Sequence, residues 1–288
     1  DPVQPLPVKI TKSDCIVSAG SCFAAHITSY LRANGFNYLV TEALPSVLQN
    51  INPTLSNALG MGIYSAAYGN IYTARQMLQL MRRAYGDFVP VEDRWSQDGD
   101  IIDPFRPLLK YPARCHKEFD ALREQHLRAV RRAIERADFF IFTLGLTEAW
   151  ISKRDGAVFP ACPGTIAGTF DPRLHKLKNF SVAEVADDLA EINCFFYKVN
   201  PKANIILTVS PVPLVATATT KHVLHATTYS KSVLRVACEQ AVQASENGSY
   251  FPSYEIITGP HGSGTYFASD RRTVTEAGIQ HVMRLFFR

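Results

Sequence analysis

The chain has 288 residues, 47% of them hydrophobic and 19% charged, with a formal net charge of +4. That is enough chain for one large α/β domain or two small ones, with the composition of a soluble protein that buries a sizeable core. No apolar run approaches the roughly 18 residues of a membrane span, so no transmembrane segment is expected.

The positive charge is scattered. Its densest group, Arg128, Arg131, Arg132 and Arg136, alternates with apolar residues. This is the pattern of a solvated helix face, so no nucleic-acid partner is expected. Six cysteines, Cys15, Cys22, Cys115, Cys162, Cys194 and Cys238, form no CxxC pair and fall mostly inside apolar segments. They read as buried free thiols in a reducing, cytoplasmic compartment, not as a disulfide framework. No zinc-type spacing occurs, and no metal or organic cofactor is implied.

In chain order, Asp14–Ser18 reads as a strand and Ala24–Asn34 as the helix after it. Between them lies Gly20-Ser21-Cys22-Phe23-Ala24, a tight turn carrying two nucleophilic side chains at a helix N-terminus. Free N–H groups and the helix dipole there favour a thiolate or a developing oxyanion. The alternative is a small-residue turn needed for strand–helix packing. Asn37–Val40 reads as a short strand and Tyr72–Tyr85 as a helix opened by Asn70 or Thr73. Arg94 to Tyr111 is loop-like, and Phe119–Arg136 is a helix. Asp138 to Thr143 and Asn204 to Val209 are continuous apolar runs, the mark of strands buried on both faces. Residues 151–180, with Asp155–Phe170 at their centre, read as an irregular insertion or hairpin. Val182–Tyr197, Ser230–Ala244 and Thr275–Phe287 read as helices, the last capped by Thr275, and Tyr254–Thr258 as a final strand.

Strands and helices thus alternate through one domain. The expected fold is a three-layer α/β/α sandwich on a mostly parallel, flavodoxin-like sheet of about five strands, with 138–143 and 204–209 central. Sites in such sheets form at the carboxyl ends of strands. Here those ends are Gly20-Ser21-Cys22, Gly145-Leu146-Thr147-Glu148, Ser210-Pro211 and the loop from Gly259.

The chain resembles the GSCFA-domain family, which itself looks like a divergent branch of the SGNH/GDSL hydrolases. The resemblance rests on Gly20-Ser21-Cys22-Phe23-Ala24, Tyr68-Gly69-Asn70-Ile71-Tyr72, Leu144-Gly145-Leu146-Thr147-Glu148, Thr208-Val209-Ser210-Pro211, Tyr229-Ser230-Lys231-Ser232 and Tyr250-Phe251-Pro252-Ser253. It implies an esterase or O-acyltransferase acting on a glycan acyl group through a covalent intermediate. Laid on the Gly-Asp-Ser-Leu block, Cys22 takes the nucleophile position ahead of Ser21. Gly69, with Asn70 beside it, matches the oxyanion glycine, although a turn with Asn70 capping a helix reads equally well. Thr147 stands as a further oxyanion donor. Glu148 either orients a base or serves as a structural carboxylate. In the Asp-x-x-His block, Asp270 is followed by Thr273 in place of histidine. The base then falls to His222, or else to His261, oriented by Asp270 or Glu148. Arg75, Ser210 and Arg271 are expected to bind substrate. The rival reading is a non-catalytic module that binds an anionic sugar or phosphate through Arg75, Arg271 and Arg272. The sequence does not fix the oligomeric state.

Overall fold

The computed structural model describes residues 6–44, 55–262 and 264–287. Four parallel strands form the central sheet in the order β1 (Ile16–Gly20), β4 (Phe139–Leu144), β8 (Asn204–Val209) and β9 (Gly248–Phe251). The two apolar runs are its adjacent inner strands, as their all-round hydrophobicity demands. Tyr38 makes a single parallel bridge to Ile16 on the outer side of β1. With that bridge as a vestigial strand, the spatial order is second, first, third, fourth, fifth, which is flavodoxin-like. Its topological switch point lies between the carboxyl ends of β1 and β4.

The pleat sends alternate residues to opposite layers. Phe140, Phe142, Ile205 and Leu207 pack against α3 (Ala74–Tyr85), α4 (His116–Arg136), α5 (Val182–Val199) and α6 (Val223–Gln243). Phe139, Ile141 and Ile206 pack against α1 (Ala24–Ala33), α7 (Ser253–Thr258) and α8 (Glu276–Phe286). The fold is therefore the expected three-layer sandwich. A one-turn helix, α2 (Leu55–Ala58), lies between α1 and α3 in the chain. Thr73 caps α3 by accepting from the Gln76 N–H, Ser181 and Glu184 form a capping box on α5, and Thr275 caps α8.

Four local readings change. Residues 254–258 are helical, not a strand; β9 just before them takes the sheet position, and Ile256 and Ile257 pack into the second layer instead. Packing position overrides β propensity there. Residues 37–40 make one bridge, not a strand. Helix α6 starts at Val223, two turns before the expected Ser230, held by Ala226 burial and by the Leu214 N–H donating to Thr227 Oγ1 at 3.2 Å. Of the six free cysteines only Cys238 is buried; Cys22, Cys115 and Cys194 are exposed.

The insertion is regular. β5 (Glu148–Ser152) pairs antiparallel with β6 (Val158–Phe159) and β7 (His175–Asn179). A hairpin of β2 (Trp95–Gln97) and β3 (Asp100–Ile102) lies in the 94–111 segment. Trp95, Phe105, Ala157, Phe159 and Ala167 join these parts in a separate apolar cluster. No helix among the described residues is long and apolar enough to cross a membrane.

The outer edge of β1 is hydrogen-bonded piece by piece. The Ile16 N–H donates to Asn37 O at 3.0 Å, and the Ile16 carbonyl accepts from Leu39 N at 2.9 Å. The Ser18 N–H donates to Ser65 Oγ at 3.1 Å, and the Ser18 carbonyl accepts from the Tyr68 hydroxyl. The Gly20 carbonyl accepts from Ile71 N at 2.8 Å. Tyr68→Phe leaves the buried Ser18 carbonyl without a partner and opens no cavity. A loss of roughly 1–3 kcal/mol in urea denaturation is expected; an unchanged midpoint would show that this edge carries no stabilising bond.

Candidate active site

Gly20 and Gly145 bring the ends of β1 and β4 together. Gly20 has φ +147°, and a Cβ there would lie 2.4 Å from the Thr143 carbonyl oxygen. A Cβ on Gly145 would lie 2.9 Å from the Ser21 Cβ. Both must be glycine for this approach. The Ser21 side chain is consequently wedged against Gly145. It is buried, and its hydroxyl has no partner among the described residues. Cys22, one residue on, is exposed and borders a cleft of about 490 Å³. The chain then turns into α1, with Ala24 N donating to Ser21 O and Ala25 N to Cys22 O.

The segment that completes the β1 edge delivers the rest of this side. Gly69, in the left-handed region at φ +68°, and Asn70 border the same cleft as Cys22. Asn70 Oδ1 accepts from the Tyr64 hydroxyl at 2.6 Å, and Asn70 Nδ2 donates to the Tyr72 hydroxyl at 3.0 Å. Burial raises both tyrosine pKa values, and a negative charge on Cys22 would act on both in the same direction. Among the described residues, no acceptor is placed against the N–H of Cys22 or of Gly69. Two backbone donors and the second N–H of the Asn70 amide therefore have no partner among the described residues.

Lys231, on the third turn of α6, is the group the sequence reading passed over. It is 1% exposed, and its ammonium donates to the Gly145 carbonyl at 2.6 Å. Burial pushes its pKa down to about 7; Cys22 opposes the shift and Arg272 adds to it. The sequence did hold the signal. Lys231 shares a helical stripe with Leu234, Cys238 and Ala241, all buried. A helix opening at Ser230 places Lys231 in its first turn; the observed start at Val223 places it in the third. Arg272 completes this cationic side, its Nε buried and unpartnered among the described residues.

The other expected site residues lie elsewhere or are committed. The Thr147 N–H donates to Ser230 Oγ at 3.0 Å and its hydroxyl to Asn179 Oδ1 at 2.6 Å, so it keeps no donor for an oxyanion. Glu148 accepts from Thr217 Oγ1 at 2.6 Å and from Ala218 N at 3.1 Å, which is the structural role. Ser210 is buried and accepts from Val212 N at 3.3 Å. His222 is exposed and caps α6, its Nδ1 accepting from Leu224 N at 3.2 Å. It lies nine residues from Lys231, about 13 Å along the helix axis. The side chain of His261 falls outside the described residues. Asp270 accepts from the N–H groups of Arg272 and Thr273 and from the Thr273 hydroxyl, so it holds its own turn instead of orienting a histidine. Arg271 is exposed, at φ +57°. Arg75 Nε pairs with Asp188 at 2.5 Å and is taken up by α5. No hydrogen bond joins Cys22 or Ser21 Oγ to a histidine among the described residues.

A second cleft of about 320 Å³ opens beside the first. Tyr72, Pro160 and Ala161 border both; Gln76, Glu148, Trp150 and Thr217 give the second one a more polar lining. Residues 15–286 match the GSCFA family, and the chain belongs to that family. No curated protein matches the chain.

A lysine that titrates near 7 in the fold and near 10.5 when unfolded destabilises the fold while charged. Stability therefore rises with pH between about 7 and 10.5. Replacing it by Lys231→Met removes this slope. Relative to wild type, the variant gains stability at pH 6, by at most about 5 kcal/mol, and the gain shrinks towards pH 10. Urea denaturation at the two pH values checks this; a pH-independent difference would place the ammonium in water.

Proposed function

We propose that this GSCFA-family chain is an acyl-transfer enzyme, an esterase or O-acyltransferase, that works through a thioester on Cys22. The observation that carries the reading is an exposed sulfur at the switch point of a parallel sheet, in a cleft it shares with Gly69 and Asn70, and a buried amine hydrogen-bonded to the Gly145 carbonyl at the end of the neighbouring strand. The buried amine supplies the base that Thr273, standing in place of a histidine, does not.

The neutral Lys231 amine takes the Cys22 proton, giving an ammonium and a thiolate. The sulfur attacks the ester carbonyl carbon and forms a C–S bond. The oxyanion is held by the N–H groups of Cys22 and Gly69 and by the Asn70 amide. The C–O bond then breaks, and the leaving alkoxide takes its proton from Lys231. In the second half, Lys231 removes a proton from water or an acceptor hydroxyl. That oxygen attacks the thioester, and sulfur leaves as thiolate. Likeness to the SGNH hydrolases points to a glycan as the hydroxylated partner. The second cleft supports this with an aromatic face, Trp150, and polar side chains. Arg272, its Nε unpartnered, favours one alternative, a module that binds an anionic sugar or phosphate without turnover.

Turnover of an activated acyl ester should fall on the order of 10⁴-fold or more in Cys22→Ala. Ser21→Ala should keep a measurable fraction. The wild-type rate should climb through pH 7 as Lys231 loses its proton, a limb absent in Lys231→Met. Intact-mass measurement should find the acyl group on Cys22. An adduct on Ser21 would reverse the roles. Full activity in both single variants would end the covalent mechanism, and phosphate binding without turnover would favour the module.

A further inference from the structure

The cleft at Cys22 is larger and more apolar than a two-carbon acyl group requires. Away from the sulfur its walls are Ile63, Pro107, Leu108, Leu109, Pro160 and Ile166. Leu108 is 55% exposed on this wall, an apolar side chain left facing water. Two basic residues also border the cleft: Lys110, which is exposed, and Arg106, whose charge is spent. The guanidinium is buried between Asp103, at 2.9 Å, and Glu42, at 3.3 Å.

The same ion pairs make the wall a built surface, not a slack loop. The Phe105 N–H donates to Asp103 Oδ1 at 2.9 Å, and Glu42 is held in turn by the Ala67 N–H at 2.8 Å and by His126 at 2.6 Å. Burial opposes ionisation of Glu42. The His126 N–H, the Arg106 guanidinium and the Ala67 N–H outweigh it and hold the carboxyl at about 2. A buried charge cluster therefore fixes Phe105 to Leu109 in place, with their apolar side turned to the cleft. Pre-formed apolar pockets of this size are ligand sites, and this one begins at the atom that would carry the acyl group.

We infer that the cleft holds the hydrocarbon tail of the acyl group carried on Cys22, so that the transferred group is a medium or long fatty acyl chain and not acetyl. This rests on the thioester reading above and adds the identity of the acyl group. The bond changes are those already written; the tail changes only how tightly the ester is held as the C–S bond forms.

The test is a series of p-nitrophenyl esters, from acetate through butyrate and octanoate to dodecanoate, kept below their micellar concentrations. Nitrophenolate release and the mass of Cys22 are read together. The expected result is a rise in kcat/KM of about three- to fourfold per added methylene until the cleft is full. Leu108→Asp, a change at an exposed position that the fold tolerates, should lower the octanoate-to-acetate ratio at least fivefold. Labelling of Cys22 that is indifferent to chain length, or a ratio untouched by Leu108→Asp, would overturn the tail site and leave the thioester standing. If no ester of any length labels Cys22, the thioester reading falls. Titration of Cys22→Ala with dodecanoate then decides the cleft: saturable binding that Leu108→Asp weakens upholds a fatty-chain site, and no binding removes it.

Discussion

The outer edge of β1 governs how this molecule is built. A strand buried on both faces needs a partner for every backbone N–H and C=O on each side. β4 serves the inner side in full register. On the outer side, among the described residues, the chain supplies only Tyr38 as a strand-like neighbour and fills the rest with Ser65, Tyr68 and Ile71. The stretch from Tyr64 to Tyr72 is thereby drawn along β1 towards its carboxyl end. Gly69, Asn70 and the two tyrosines arrive at Cys22 as a consequence. A full second strand would have satisfied the same backbone groups and brought none of these side chains.

The opposite side of the site is set by backbone proximity. Gly20 and Gly145 allow β1 and β4 to end almost in contact, which buries Ser21 and leaves Cys22 as the first side chain to clear the sheet. The Gly145 carbonyl then faces α6, where Lys231 reaches it, while Ser230 on the same turn takes the Thr147 N–H. Two adjacent residues of one helix thus fasten the β4–β5 junction. A buried amine with one hydrogen bond is an expensive fastening. Met in its place would pack at similar volume but would leave the Gly145 carbonyl without this partner.

Much of this was legible in the chain. The apolar runs 138–143 and 204–209 announced central parallel strands, and the glycine turn after the first strand announced the site edge. Motif order pointed to Gly69 and Asn70, and both border the same cleft as Cys22. What failed to show was what depends on long-range packing. Residues 254–258 have strand-like composition, but β9 already holds the sheet position and the layer beyond needed Ile256 and Ile257. His222, expected as the base, instead caps the start of α6 and is exposed. Thr147 offered a hydroxyl by composition alone, and only the contacts with Asn179 and Ser230 reveal that both its donors are taken. Lys231 stood in the buried stripe of its helix throughout. It was missed because the helix start was placed too late.

Tyr72, Pro160 and Ala161 form a wall shared by two clefts of different character. On the proposed chemistry, an acyl group on Cys22 fills one side while the oxygen that removes it enters from the other. Hydrolysis and transfer then cease to be separate activities. They become two exits from one thioester, and the flux through each is set by whether water or a hydroxylated molecule occupies the second cleft. The chain would act as a hydrolase when the acceptor is scarce and as a transferase when it is abundant. Its ratio of products would report acceptor occupancy and not any change in the catalytic residues.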